Sequence, residues 1–341
     1  MLSHRLHRLE ATPETVHWGF FDHSLRPVLT VAPGDVVTME TLTHHAGDAP
    51  DLLMDAGVRR VYEEVTDRGP GVHILTGPIA VESAAPGDTL EVRVLDVRPR
   101  LPYGSNFAAW WGLLHKEFGE RQRVTIFEFD AESTLAWALF AYQFPYPALT
   151  PGTIVEPGTA ERVAALERVR LPMRPHLGTA GVAPEEPGRI SSIPPGRFGG
   201  NIDNWRFGAG TVMYYPVLRP GALFSGGDPH VSQGDGEIDG TAIEASLNVT
   251  LQFGLRKAFP IHNPILETPT HWILHAYHED LSQAMRLVVL EMLDFLVTHQ
   301  GLSREDAYAL MSVAADFTIT QVVDQRQGVH AAIARRLFLP R

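Results

Sequence analysis

Twenty-six prolines and thirty glycines in 341 residues leave few stretches in which a long helix could form. Proline removes a backbone donor and clashes with the preceding helical turn, and glycine permits turns that side chains resist. Short strands joined by turns are therefore expected over most of the chain. Two places repeat the same punctuation: Pro33-Gly34-Asp35 and Pro86-Gly87-Asp88 each lead into a run that alternates apolar and polar, at 36–42 and 89–94. Such alternation buries one face of a strand and wets the other. Further strands are expected at 28–31, 72–75, 124–130, 211–217, 247–253 and 317–323, which together describe a β-sandwich-like body.

The end of the chain changes character. Asp280 and Gln283 form a capping-box pattern, and Leu281, Ala284, Met285, Val288, Met292, Phe295 and Leu296 follow a 3.6-residue period until Gly301. Ser303 and Asp306 open a second helix running to about residue 315, and a short last helix is expected at 330–338. The fold class is α+β, a β-rich body with helices clustered near the C-terminus. Two halves are expected, 1–170 and 171–341, which could equally be one fused domain. Within the first, 43–71 reads as a long loop with a short helix near 51–58. The aromatic segment 100–170 reads either as a wall over a pocket or as core and inter-subunit packing. The stretch 171–198, with six prolines, reads as surface loop.

Composition excludes several functions. The formal net charge of −12 argues against nucleic acid or an anionic membrane as a partner. No apolar run reaches membrane-spanning length and no signal-peptide pattern is seen, so a cytoplasmic protein is expected. The absence of cysteine removes disulfides, thiolate metal sites and a thiol nucleophile.

The chemistry concentrates at 199–244. Asp203, Asp228, His230, Asp235, Glu237, Asp239 and Glu244 lie there on a glycine-rich path. Carboxylates at this density repel unless a cation sits among them, and glycine lets the backbone approach a bound species. Asp235, Glu237, Asp239 and Gly240 fit the first positions of an EF-hand loop, but position 12 is Ser246 and no helix flanks it. Ser225 fails as a nucleophile elbow, because Leu223 stands where glycine is required. What remains is water activated by a divalent metal. Asp203, Asp228 and His230 are the candidate ligands, Glu237 and Glu244 compete for the general-base role with ligation open to either, and His73 is the outside contributor. His17 is a weaker candidate. His262, His271, His275 and His278 read as surface or interface residues, since the His271/His275 pair lacks the glutamate of a zincin helix. Zinc is the expected metal and calcium the alternative, in which case the chain is a calcium-stabilised sandwich that binds a small ligand without turnover.

GGNID, then PGALFSGGDPHVSQGDGE, then GTAIE resembles the acetamidase/formamidase family, as does LTGPIAVESAAPGDTLEV upstream. The resemblance runs from HWGFFD to AADFTITQVVDQRQGVHAAI and is poor over 100–170. It implies hydrolysis of a short aliphatic amide to a carboxylate and ammonia, a divalent metal, a sandwich-like body and a homodimer or higher oligomer. The family's acidic and histidine positions match Asp203, Asp228, His230, Glu237 and Glu244. Of the other amidase chemistries, one needs a cysteine and another a lysine in a glycine/serine-rich segment. Lys116 and Lys257 lie in none.

Overall fold

The computed structural model describes residues 4–130, 134–144 and 150–338. The breaks expected at Pro145 and Pro147 lie outside those residues. Leu247–Arg256 shows how sequence becomes sheet: Leu247, Val249, Leu251 and Phe253 are fully buried, and the residues between them are partly exposed. It pairs antiparallel with Thr89–Pro99, setting Leu251, Phe253 and Leu255 opposite Val94, Val92 and Leu90. A nine-stranded sheet grows from this pair. Its order is Leu6–Leu9, Val36–Thr41, Leu247–Arg256, Thr89–Pro99, Val212–Pro216, Ile265–Glu267, His271–His278, Gln327–Ala334 and Ala315–Gln321.

The two proline-glycine turns are alike. Asp35 N–H donates to Ala32 O and Asp88 N–H to Ala85 O, both at 3.0 Å, with Gly34 at φ 101° and Gly87 at φ 95°. Proline second and a positive-φ glycine third is the type II arrangement.

A second sheet of six strands contains Gly199–Asn201, His176–Gly181, Phe224–His230, Ile74–Val81 and Val16–Trp18 in that order, with Leu29–Val31 pairing parallel to Ile74–Val81. Its inner side chains, among them Leu75, Ile79, Leu177 and Phe224, share one core with Met39, Val92, Met213 and Leu251 of the larger sheet. The body is thus a sandwich, and each sheet draws strands from both sides of residue 170. A four-stranded sheet (Leu171–Pro172, Leu135–Phe144, Gln122–Asp130, Tyr103–Ala108) carries the aromatic segment. Trp137 belongs to its packing, bonded to Glu128 at 3.2 Å.

Four expectations change. The supposed loop 171–198 contains His176–Gly181, an interior strand buried at every residue and therefore without alternation. Residues 330–338 are not a helix, because Gln327–Ala334 is clamped as a strand between His271–His278 and Ala315–Gln321. Only a short 3-10 turn, Arg335–Leu337, follows. His271 and His275 stand on a strand rather than a helix, and His275 is fully buried, bonded to Asn204 and Pro264 O. The 43–71 segment holds two α-helices, Pro50–Leu53 and Ala56–Glu64.

The C-terminal helices form as their caps dictate. Asp280 accepts from Gln283 N–H at 2.9 Å at the start of Leu281–Gln300, which ends at Gly301 with φ 75°. Ser303 caps Arg304–Ala314 in the same way. Ala284, Val288, Met292, Phe295 and Leu296 face the outer strands, whereas Met285 of the expected stripe stays 38% exposed. Asp280→Ala should lower stability by about 1 kcal/mol in urea unfolding, and Asp280→Asn should recover most of it, since either side chain can accept from the Gln283 N–H.

Candidate active site

The second sheet delivers the chemistry at its strand ends. Asp203 follows Gly199–Asn201, Asp228 and His230 close Phe224–His230, and His73 immediately precedes Ile74–Val81. Glu237 lies in the turn beyond His230. Glu244 is held by a backbone bridge to Ser105, with N–H···O bonds of 2.7 and 2.8 Å. All six residues singled out in the sequence converge, each at most 7% exposed. His230 Nε2 lies 3.3 Å from Asp228 Oδ2 and 3.2 Å from Glu244 Oε1. His73 Nε2 is 3.6 Å from Asp228 Oδ2.

Close approach here depends on a missing side chain. A Cβ on Gly178 would meet His230 Cε1 at 2.4 Å, Asp203 Oδ1 at 2.6 Å and Asp228 Oδ2 at 2.8 Å. Asp203, Asp228 and Glu237 also adopt left-handed backbone conformations, with φ of 55°, 49° and 44°. For non-glycine residues this costs of order 1–3 kcal/mol each, and such strain clusters where function requires a special side-chain direction. Asp228 thus reaches the site from a strand end that turns through a left-handed residue.

Other functional residues escaped the sequence reading. His44 Nδ1 lies 3.6 Å from Asp228 Oδ1, and its ring stands edge-on to His73. His45 Nδ1 is 3.1 Å from Asp48 Oδ2, which also accepts from Ser105 Oγ at 2.5 Å. Asp324 faces Asp203 and Glu237. The adjacent pair His44-His45 with Asp48 following was the available signal, whereas nothing local marks Asp324. Asp235 instead pairs with Arg206 and Trp205, Asp239 holds Asn106, and His17 bonds Phe20 O and Ser225.

His44, His45, His73, Asp203, Asp228, Glu237, Glu244 and Asp324 line a cavity of about 120 Å³, with Trp110 and Trp111 forming part of its wall and no arginine or lysine among its described lining residues. A wider groove of about 840 Å³, where Arg174 and Arg206 both stack on Trp205, lies elsewhere and has no such cluster.

Electrostatics divides the cluster. Burial raises Asp203 to about 7, with the Asp228 charge adding to it against the pull of His230. Burial, then Asp203, lifts Glu237 and Asp324 well above the usual carboxylate range. Burial would raise Asp228 too, but His73 and His230 outweigh it and hold that carboxyl well below its ordinary value. For His230, Glu244 and Asp228 overcome burial and push the imidazole well up. Burial pulls His44 and His73 down from the ordinary imidazole range.

The residues fit a divalent cation. Asp203–Asp228–His230 and His44–His73–Asp228 are overlapping sets whose ligand atoms lie within 4.8 Å of one another. His44 Nδ1, both Asp203 oxygens, His230 Nε2, Glu237 Oε2, Glu244 Oε2 and Asp324 Oδ2 are buried without a hydrogen-bond partner. Unpaired buried polar atoms are expensive, and a cation would satisfy several together.

Fold and cavity together define a β-sandwich with a buried carboxylate–imidazole centre. The acetamidase/formamidase family profile matches residues 7–189 and 188–338, through the aromatic segment as well, and the chain belongs to that family. It is 30% identical over 202 residues to the acetamidase of Mycolicibacterium smegmatis, covering 49% of each chain. Against the formamidase of Methylophilus methylotrophus it is 28% identical over 286 residues, covering 72% of this chain and 67% of that one. The matched part thus spans about half the length of the first of these relatives. The crystal structure of an acetamidase from Bacillus halodurans superposes with a TM-score of 0.76 at 28% identity, covering 97% of this chain and 98% of that one. Among the described residues, no helix is long and apolar enough to cross a membrane.

Glu237→Gln tests the electrostatic picture in chelator-treated protein. The raised carboxyl of Glu237 keeps its proton in the folded state when the unfolded chain, at about 4.5, has released it. Wild-type stability should therefore fall as pH rises above that value, and the variant should be spared this decline. Melting temperatures should coincide near pH 4 and diverge in favour of the variant toward pH 8.

Proposed function

We propose that the chain is a divalent-cation-dependent amidohydrolase of short linear amides, producing a carboxylate and ammonia. The observation that carries this reading is the set of orphaned ligand atoms around Asp228, in a cavity with no arginine or lysine among its described lining residues. Asp203, Asp228 and His230 would hold the cation, with His44 and His73 supplying further nitrogens beside Asp228. Imidazole nitrogen with carboxylate oxygen is a zinc donor set and weighs against calcium, which takes oxygen ligands. Such a cation, when bound, supplies Lewis acidity that polarises a carbonyl and acidifies water.

The chain's own groups account for the rest. Glu244 is anchored, accepting from Ala242 N–H at 2.9 Å, and its Oε1 lies beside His230 Nε2, on the cation-facing side of that imidazole. Glu237 lines the cavity with a free Oε2, and a cation held beside it would favour its carboxylate form, the state a general base requires. It accepts a proton from the attacking water and returns it to the amide nitrogen as the C–N bond breaks. Thr179 Oγ1 donates to Asp228 Oδ2 at 3.1 Å and fixes that carboxylate. The small cavity, bounded by Trp110, Trp111, Val72 and Ile193, favours amides of a few heavy atoms.

Purified protein loaded with zinc should release ammonia from formamide or acetamide. The rate should fall as the acyl chain lengthens, vanish on chelation and return on adding the metal. Glu237→Gln should keep its metal, measured by elemental analysis, and lose about 10²–10⁴-fold in kcat. Metal-loaded protein that releases no ammonia from formamide, acetamide or propionamide would overturn the assignment.

A further inference from the structure

Gln233 belongs to the QGDGE motif, has no part in the chemistry above, and is buried at 6% exposure. Its side-chain Nε2 donates to Asp203 O at 2.7 Å, which settles the amide's orientation and turns Oε1 the other way. That Oε1 lies 3.2 Å from His230 Nδ1 and 2.8 Å from His176 Nε2. His176 closes the triangle, with its Nε2 3.2 Å from His230 Nδ1 and its own Nδ1 2.6 Å from Arg174 O. An amide oxygen can only accept, and His176 Nδ1 is turned to a backbone carbonyl, which also only accepts. A proton on His176 Nδ1 leaves its Nε2 a lone pair, so His230 Nδ1 then faces two acceptors and carries the hydrogen that bonds them. The other nitrogen, Nε2, is turned toward Asp228 and Glu244.

We propose that Gln233 is a positioning residue that holds His230 with its proton on Nδ1, so that Nε2 is the atom offered to a cation. The ligand role rests on the cation reading above; the location of the proton does not. One amide thereby ties the two ligand-bearing turns together, through the carbonyl of left-handed Asp203 on one side and the ring of His230 on the other. Partners that fix a ligating histidine's tautomer typically change metal affinity by about 10–100-fold when removed.

The test combines nitrogen-15 NMR of the histidine rings with zinc competition titrations on the full chain. In wild type, a downfield hydrogen-bonded N–H resonance assigned to His230 Nδ1 should be present with and without zinc, and zinc should shift Nε2. Gln233→Met, which fills the space without an acceptor, should lose or broaden that resonance and bind zinc about 10–100-fold more weakly. Gln233→Glu keeps an acceptor, so it should retain the resonance and lose less affinity than the methionine variant. An unprotonated Nδ1 in wild type overturns the inference whether or not any metal binds. Unchanged zinc affinity in folded Gln233→Met also overturns it and leaves the cation reading intact. If wild type keeps the Nδ1–H signal but binds no zinc, the ligand role falls with the cation reading.

Discussion

Asp203, Asp228, Glu237, Glu244 and Asp324 are buried together with only imidazoles to offset their charge. Burying like charges is among the most unfavourable arrangements a fold can adopt, since each must be neutralised by protonation, pairing or a bound ion. Much of the local structure answers to this constraint. Gly178 leaves open the volume where three side chains meet. Thr179 Oγ1 lies between Asn201 and Asp228, and Gln233 donates to the backbone of Asp203. Asp228 stays ionised because histidines face it, and Glu237 and Asp324 absorb the repulsion as raised proton affinity.

The sandwich supplies the rigidity such a centre requires. Its two sheets share a closely packed apolar core, and Asp203, Asp228, His230 and His73 stand at the ends of strands rooted in it. Side chains held by such a frame cannot move apart to relieve their repulsion without breaking sheet hydrogen bonds. This links the stability of the body directly to the chemistry at its edge.

How much of this was legible in the chain depended on whether each element has a wet face. Leu247–Arg256 and Thr89–Pro99 alternate because they have one, and their pattern was readable. His176–Gly181 and Phe224–His230 are buried on both sides and built of small residues, so their sequences show turn-like glycine and no period. Gln327–Ala334 carries three alanines that favour helix, and pairing on both edges overrides that preference. The carboxylates of 199–244 were visible because they cluster along the chain. His44 and Asp324 reach the same cavity from sequence positions about 280 residues apart, a convergence that only the topology creates.

The left-handed backbone at Asp203 and Asp228 has a consequence for how such a protein changes over time. Asparagine tolerates that conformation about as well as aspartate, being the other side chain commonly found there. Replacing either acid by its amide would remove a charge from the crowded interior and leave the backbone at ease. A chain that keeps the shape of this molecule and lacks either acid is therefore a single substitution away.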